Sequence, residues 1–332
     1  MASYARRLQK IGSSTLISLP ANWVRQNQLK KGDTIRMELG NDNSIAIIPS
    51  NDGNGVIRGF RIDYPARVVD ILINQLFGAY LLGFDNITIK ARTPIDYEDR
   101  EKILTASNKL VGLEIVDEDS LNINFQFLID VGSLEAAKIL RRMNAIIKGM
   151  MRDGLKAIAD KDTKLIKLIV RRDDEIDRQY FLLVRLIRSA MLNQRIARKL
   201  NLSNIDILDY RVAASYLESA GDYISEFSSS IPKLWGTGFE NEIVEAGTIV
   251  DNMQHRAISA FIAKDGLLSE EIVRMYGKFS NLSVSIKEKS TKGARPDPNI
   301  SILNCIYSMD RIAKCWVDIA DLVKPGYSKS QI

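Results

Sequence analysis

Between residues 8 and 19 apolar and polar side chains alternate, broken by Gly12-Ser13-Ser14, and the run ends at Pro20. Alternation is the period of a strand and proline suits the first turn of a helix, so the pattern predicts a strand and then a short helix over 21–29. Lys31-Gly32-Asp33 reads as a turn, Ile35, Met37 and Leu39 alternate, and 45–48 returns as the second arm of a hairpin across Gly40-Asn41-Asp42-Asn43, residues that tolerate positive φ. The stretch Asn51-Asp52-Gly53-Asn54-Gly55 has the composition of a linker. Beyond it the period switches repeatedly: strand 57–62, helix 65–82, strand 87–90, helix 97–110, then strands 113–116 and 121–128, which together predict a small α/β layer. From 132 to 322 the period is helical throughout, and it repeats: MMRDGLKAIADKD at 150–162 is answered by NMQHRAISAFIAKD at 252–265. Each is followed by two further amphipathic helices, so two copies of a three-helix unit are expected.

The fold class that follows is multidomain α+β, with expected domains at 1–50, 56–131 and 132–325. At 332 residues and 45% hydrophobic, the chain is long enough for several cores. The most apolar stretch, 68–84, contains Asp70, Asn74 and Gln75, which predicts a buried amphipathic helix and no membrane insertion. Cys305 and Cys315 fall on one predicted helix, about 15 Å apart by helical rise. That is beyond disulfide reach, so reduced thiols and a cytoplasmic setting are expected. For the α/β layer, a ligand site near the Gly78-to-Gly83 helix end, a dimer contact and a rigid spacer all fit, and the spacer is the reading favoured.

Charge separates the first segment from the rest. Arg6, Arg7, Lys10, Arg25, Lys30, Lys31 and Arg36 face only Asp33, Glu38 and Asp42 there, which leaves +4 of the chain's net +5 in its first fifty residues. A basic module on a nearly neutral body suits a polyanion such as double-stranded DNA. The order strand, proline step, short helix, KKGD turn and hairpin resembles the AbrB family of swapped-hairpin DNA-binding domains. That resemblance implies a homodimer in which two hairpin sets interlock into one β-barrel, with Arg6, Arg7, Lys10 and Arg25 on the route to DNA. Many members carry an arginine directly after the glycine, whereas Ser13 and Ser14 follow Gly12 here. A solvated basic surface on an oligomerisation barrel is the alternative.

The first helical copy carries two acid pairs at four-residue spacing, Asp173 with Asp177 and Glu218 with Asp222. Residues four apart stack one turn above each other, so each pair offers two carboxylates to one point. Two antiparallel helices doing so present oxygen donors to a hard or borderline cation such as iron or manganese. Asp173 lies close to the stripe Ile169, Ile176, Tyr180, Leu183 and Ile187, with Asp177 at its edge, whereas Glu218 and Asp222 lie opposite their helix's apolar stripe, where a solvated face is the alternative.

The segments DDEIDRQYFLLVR and LESAGDYISEF, over roughly 135–323, resemble the PhoU family of phosphate-uptake regulators. The resemblance implies tandem three-helix bundles that bind iron or zinc clusters through acid-x-x-x-Asp pairs, report phosphate status, and contact a phosphate transporter and its signalling partners. The second copy departs from that pattern: the turn around Tyr276 lacks an acid pair, and Asp310 is followed four residues later by Lys314, so one metal site at most is expected. The combination of modules resembles archaeal phosphate-uptake regulators.

His255 stands alone mid-helix, no serine or cysteine has an evident base partner, and neither a Walker loop nor a dinucleotide fingerprint occurs. The expectation is a non-enzymatic regulator that binds DNA. An adaptor that binds a phosphate-transporter ATPase and uses its barrel only to dimerise is the second reading. A metal-dependent hydrolase on the acidic cluster is the third, for which no general base can be named.

Overall fold

The computed structural model describes residues 4–39, 44–49, 58–65, 68–291 and 296–323, and the chain divides into two units, Met1–Ile57 and Arg58–Ile332. In the first unit β1 (Gln9–Ile11) pairs antiparallel with β2 (Ser14–Leu16), α1 (Ala21–Gln26) follows Pro20, and β3 (Ile35–Leu39) pairs with β4 (Ile45–Pro49) from Ile35↔Pro49 to Leu39↔Ile45. The alternating run at 8–19 is therefore a hairpin and not one strand, because the chain reverses at Gly12, whose φ is +61°. Residues 40–43, expected as the second hairpin's turn, and the linker 51–55 lie outside the described residues.

None of the described side chains of this unit is buried. Leu8, Met37 and Leu39 are 73%, 66% and 83% exposed, and the strands form two separate two-stranded sheets. One chain's described residues thus make two hairpins and no closed barrel. Two-stranded ribbons without a core are marginal in water.

The second unit opens with the α/β layer: β5 (Gly59–Tyr64), α2 (Val69–Leu81), β6 (Asn86–Ala91), α3 (Tyr97–Ser107), β7 (Leu113–Glu118) and β8 (Asn122–Phe127). The sheet order is β5-β6-β8-β7, with β5 and β6 parallel and the other pairs antiparallel. Ile62, Ile87, Ile89, Ile123 and Phe125 point to one face and bury against Leu72, Leu76, Tyr80 and Ile103 of the two helices. A sheet with one covered face needs that two-residue alternation.

The helical body comprises α4 (Ala136–Asp160), α5 (Thr163–Leu192), the short α6 (Gln194–Lys199), α7 (Asn204–Ser230), α8 (Glu240–Ala263), α9 (Gly266–Thr291) and α10 (Pro296–Asp321). Helices α4, α5 and α7 form the first copy and α8, α9 and α10 the second; α6 is an addition that the helical period does not predict. The repeated Lys-Asp has a local cause. Lys161 and Lys264 both end their helices in the left-handed region at φ 55°, and Asp162 and Asp265 then cap the next helix, accepting from the Lys164 and Leu267 amides at 2.7 and 2.9 Å. One core runs through both copies, with Met151, Phe227, Met309 and Trp316 in it.

Helix α5 is buried on both sides over Leu182, Leu183, Val184, Arg185, Leu186 and Ile187, because the α/β layer covers the side that the bundle leaves open. The corresponding stretch of α9 is polar at Lys287, Glu288 and Lys289, so the second copy offers no equivalent docking surface. Cys305 and Cys315 are free and buried, and burial pushes both thiols up to about 12. Among the described residues no helix is long and apolar enough to cross a membrane.

Candidate functional site

Asp173 and Asp177 lie one turn apart on α5, and Glu218 and Asp222 one turn apart on α7. The two helices approach at Gly221, where a Cβ would stand 2.6 Å from Ile176 Cδ1 and 3.3 Å from Asp173 Oδ1. A glycine between the two acids of Leu217-Glu218-Ser219-Ala220-Gly221-Asp222 suits this close approach, since a side chain there would force Ile176 aside and crowd the Asp173 carboxylate.

The four acids act as one electrostatic group. Burial, and then the charges of Asp222 and Asp177, push the Asp173 carboxyl up to about 6. Burial also raises Asp177, against the pull of Lys109, and Asp222 adds to the rise. Glu218 is raised by burial and then by Asp222, Asp177 and Asp173. Asp222 is solvent-exposed as a whole residue, yet local desolvation raises its carboxyl against Arg311. Ser225 has a buried hydroxyl beside Asp173 that completes no well-formed hydrogen bond.

A donor set of carboxylate oxygens whose charge Lys109 and Arg311 offset only in part suits a hard or borderline cation in its chemistry. In its geometry it does not converge: among the described residues no three His, Cys, Asp or Glu side chains are placed to hold a metal ion.

At the corresponding place in the second copy the charge is settled internally. Tyr276 Oη donates to Asp310 Oδ1 at 2.9 Å, and Lys314 Nζ lies 2.6 Å from Asp310 Oδ2. Hydrogen bonding to Asp310 raises the Lys314 ammonium above its ordinary value.

Sequence reasoning missed two residues of the first site's surroundings. Lys109, just past the end of α3, reaches Asp174 at 3.0 Å and Asp177 at 3.9 Å. Nothing local marks it, since it comes from another element. Arg185, 3% exposed, was legible as a charge inside the apolar run Leu182-Leu183-Val184-Arg185-Leu186-Ile187.

In the first unit Arg6 and Arg7 precede β1, Lys10 lies within it and Arg25 lies in the last turn of α1, and all four are exposed. Arg6 stacks over Tyr4 at 5.6 Å, and Arg25 donates to Asn22 Oδ1 at 3.0 Å. No carboxylate among the described residues pairs with any of the four, so their charge faces water. His255 is exposed on α8.

The PhoU domain family matches residues 140–231 and 243–323, which together make up more than half of the chain. The family described as antidote-toxin recognition MazE, bacterial antitoxin, matches residues 8–54. No curated protein matches the chain significantly. Among solved structures, the crystal structure of PhoU from Pseudomonas aeruginosa is 21% identical with a TM-score of 0.46, covering 57% of this chain and 93% of that one. The crystal structure of the phosphate transport system regulatory protein PhoU from Streptococcus pneumoniae is 17% identical with a TM-score of 0.49, covering 57% and 91%. The chain belongs to the PhoU domain family and carries a MazE/AbrB-like unit ahead of its two PhoU repeats.

Proposed function

We propose that this protein is a cytoplasmic, homodimeric DNA-binding regulator of phosphate uptake, in which the helical body reads phosphate status and the N-terminal unit holds double-stranded DNA. The observation that carries the reading is the union, in one chain, of PhoU repeats with a basic unit that buries none of its described side chains. Leu8, Ile11, Leu16, Met37, Leu39 and Ile45 of that unit are all exposed. Apolar strands left bare in this way are covered by a second copy, which sets two sets of Arg6, Arg7, Lys10 and Arg25 on one dimer. Unpaired guanidinium and ammonium groups then neutralise phosphates along the duplex.

In this reading the acidic face of the first repeat is the input. Asp173, Asp177, Glu218 and Asp222 do not converge as they stand, and would have to draw together to hold one iron, zinc or manganese ion, whose charge would relieve a repulsion that the second repeat relieves with Lys314. A phosphate-transporter ATPase is the partner through which transport status reaches the body. An adaptor that uses the N-terminal unit only to dimerise would share every feature of the body, and DNA binding separates the two. The test is recovery of bound DNA across the genome from cells grown in high and low phosphate. Enrichment upstream of transport genes, changing with phosphate, is the expected result; uniform coverage in both conditions would contradict a specific regulator.

A further inference from the structure

The α/β layer meets the helical body along α5, and the two ends of that contact differ in kind. At one end the buried Arg185 guanidinium donates to the carbonyls of Tyr80 at 2.7 Å and Phe84 at 2.9 Å, where α2 ends. It also lies 3.9 Å from the Phe127 ring centroid and 5.0 Å from that of Tyr80, with Asp85 at 3.5 Å. A cation at a helix C-terminus meets the negative end of the dipole, and a buried one persists only where its donors are occupied. Gly83 closes α2 at φ +81°, and a Cβ there would lie 2.8 Å from Ser189 Oγ of α5.

The same helix end ties down the start of the second unit. Arg58 donates its side chain to the Leu82 carbonyl at 3.0 Å, stacks over Phe84 at 4.6 Å, and donates its backbone amide to Asp85 at 2.9 Å. The first residue of the second unit is therefore fastened to the joint that Arg185 makes.

At the other end the contact is open to water. Lys109 reaches Asp174 with the two side chains 43% and 65% exposed, and the nearby Arg178 donates to the Asn108 carbonyl at 2.7 Å. An exposed ion pair is screened and readily exchanged, whereas the Arg185 anchorage is not.

We infer that the α/β layer is a lever on α5, its fulcrum the Arg185 joint to which Arg58 is also fastened, and its free end held or released at Lys109 by the charge of the acidic face. This rests on the acidic face being the regulated site. Positive charge arriving at Asp174 and Asp177 removes the counter-charge of Lys109 while leaving the Arg185 anchors in place, so the layer loosens at one end only. A rigid spacer would be fixed equally at both.

Amide hydrogen exchange on the full chain tests this without DNA or any added cation, so that its outcome is separate from that of the regulatory reading. Lys109→Gln, a surface change, and Asp174→Asn with Asp177→Asn should each speed exchange at least threefold at 104–109, with 58–64, α8 and α10 unchanged. Combining the two should add nothing, because both break the same ion pairs. Arg185→Gln should instead loosen 79–86 and 58–64. Faster exchange at 58–64 in the Lys109 or acid-face variants, unchanged exchange at 104–109, additive effects of the two, or an Arg185→Gln chain with 79–86 still protected would each overturn the lever.

Discussion

Lys314 Nζ stands 2.6 Å from Asp310 Oδ2 in the second helical repeat, where the first repeat sets Asp222 one turn from Glu218. With Tyr276 on its other oxygen, Asp310 has both carboxylate oxygens occupied by this chain's own donors. The two repeats thus share a backbone plan and differ in charge: one acidic group is neutralised internally and the other only in part, by Lys109 and Arg311.

That difference gives opposite mutational signs. Lys314 and Asp310 are 57% and 23% exposed, so Lys314→Met should cost about 0–1 kcal/mol, the range of solvent-screened pairs. Asp222→Asn should leave the metal-free protein as stable or more so, since it removes a charge that raises its neighbours' proton affinity. Urea denaturation of both variants checks this. A destabilisation of about 3 kcal/mol or more for Lys314→Met, the range of a broken buried pair, would contradict the assignment.

The raised Asp173 carboxyl predicts the pH response. Its folded-state value of about 6 exceeds the ordinary 3.8, so the folded state binds the proton more tightly than the unfolded state does. The charged form therefore destabilises the fold fully above about pH 6, and the penalty is relieved as pH falls from there toward the ordinary carboxylate range. Chelator-treated protein should melt at a higher temperature at pH 5 than at pH 7 by this contribution. Asp173→Asn should raise the pH 7 value and flatten the difference. A variant with an unaltered pH slope would show that Asp173 is not the group responsible.

The close approach at Gly221 is equally direct to test. A Cβ there meets Ile176 Cδ1 at 2.6 Å, so Gly221→Ala should cost about 1–3 kcal/mol through overpacking. Adding Ile176→Val, which shortens the opposing side chain, should restore part of the stability. Additive destabilisation in the double variant would mean that the two residues do not meet.

Much of this was legible in the sequence where periodicity and local chemistry coincide. The order β5-α2-β6-α3-β7-β8 follows from switches between two-residue and helical periods, and the Lys-Asp pairs at 161–162 and 264–265 mark both repeats because each combines a helix stop with a cap. The acid pairs stood out because four-residue spacing stacks both carboxylates on one face of a helix, whether that face is a site or a solvated surface. Three features were hidden. The 8–19 run reads as one strand because a two-residue reversal hardly disturbs alternation. Helix α6 is too short to show a period. Lys109 joins the acidic face only through the way the α/β layer packs on α5, which no local pattern encodes.

The central claim, that a basic N-terminal unit brings a PhoU body to DNA, is tested most directly by a salt titration of duplex DNA binding by the full chain, with and without Arg6→Ala and Arg7→Ala together. Wild-type affinity should fall steeply as salt rises, and the double variant should bind more weakly, with its log–log slope flatter by about 0.9 for each phosphate no longer neutralised. Dimerisation should persist in both. A folded, dimeric wild type with no salt-dependent DNA affinity, or a double variant whose affinity and slope match wild type, would contradict the account.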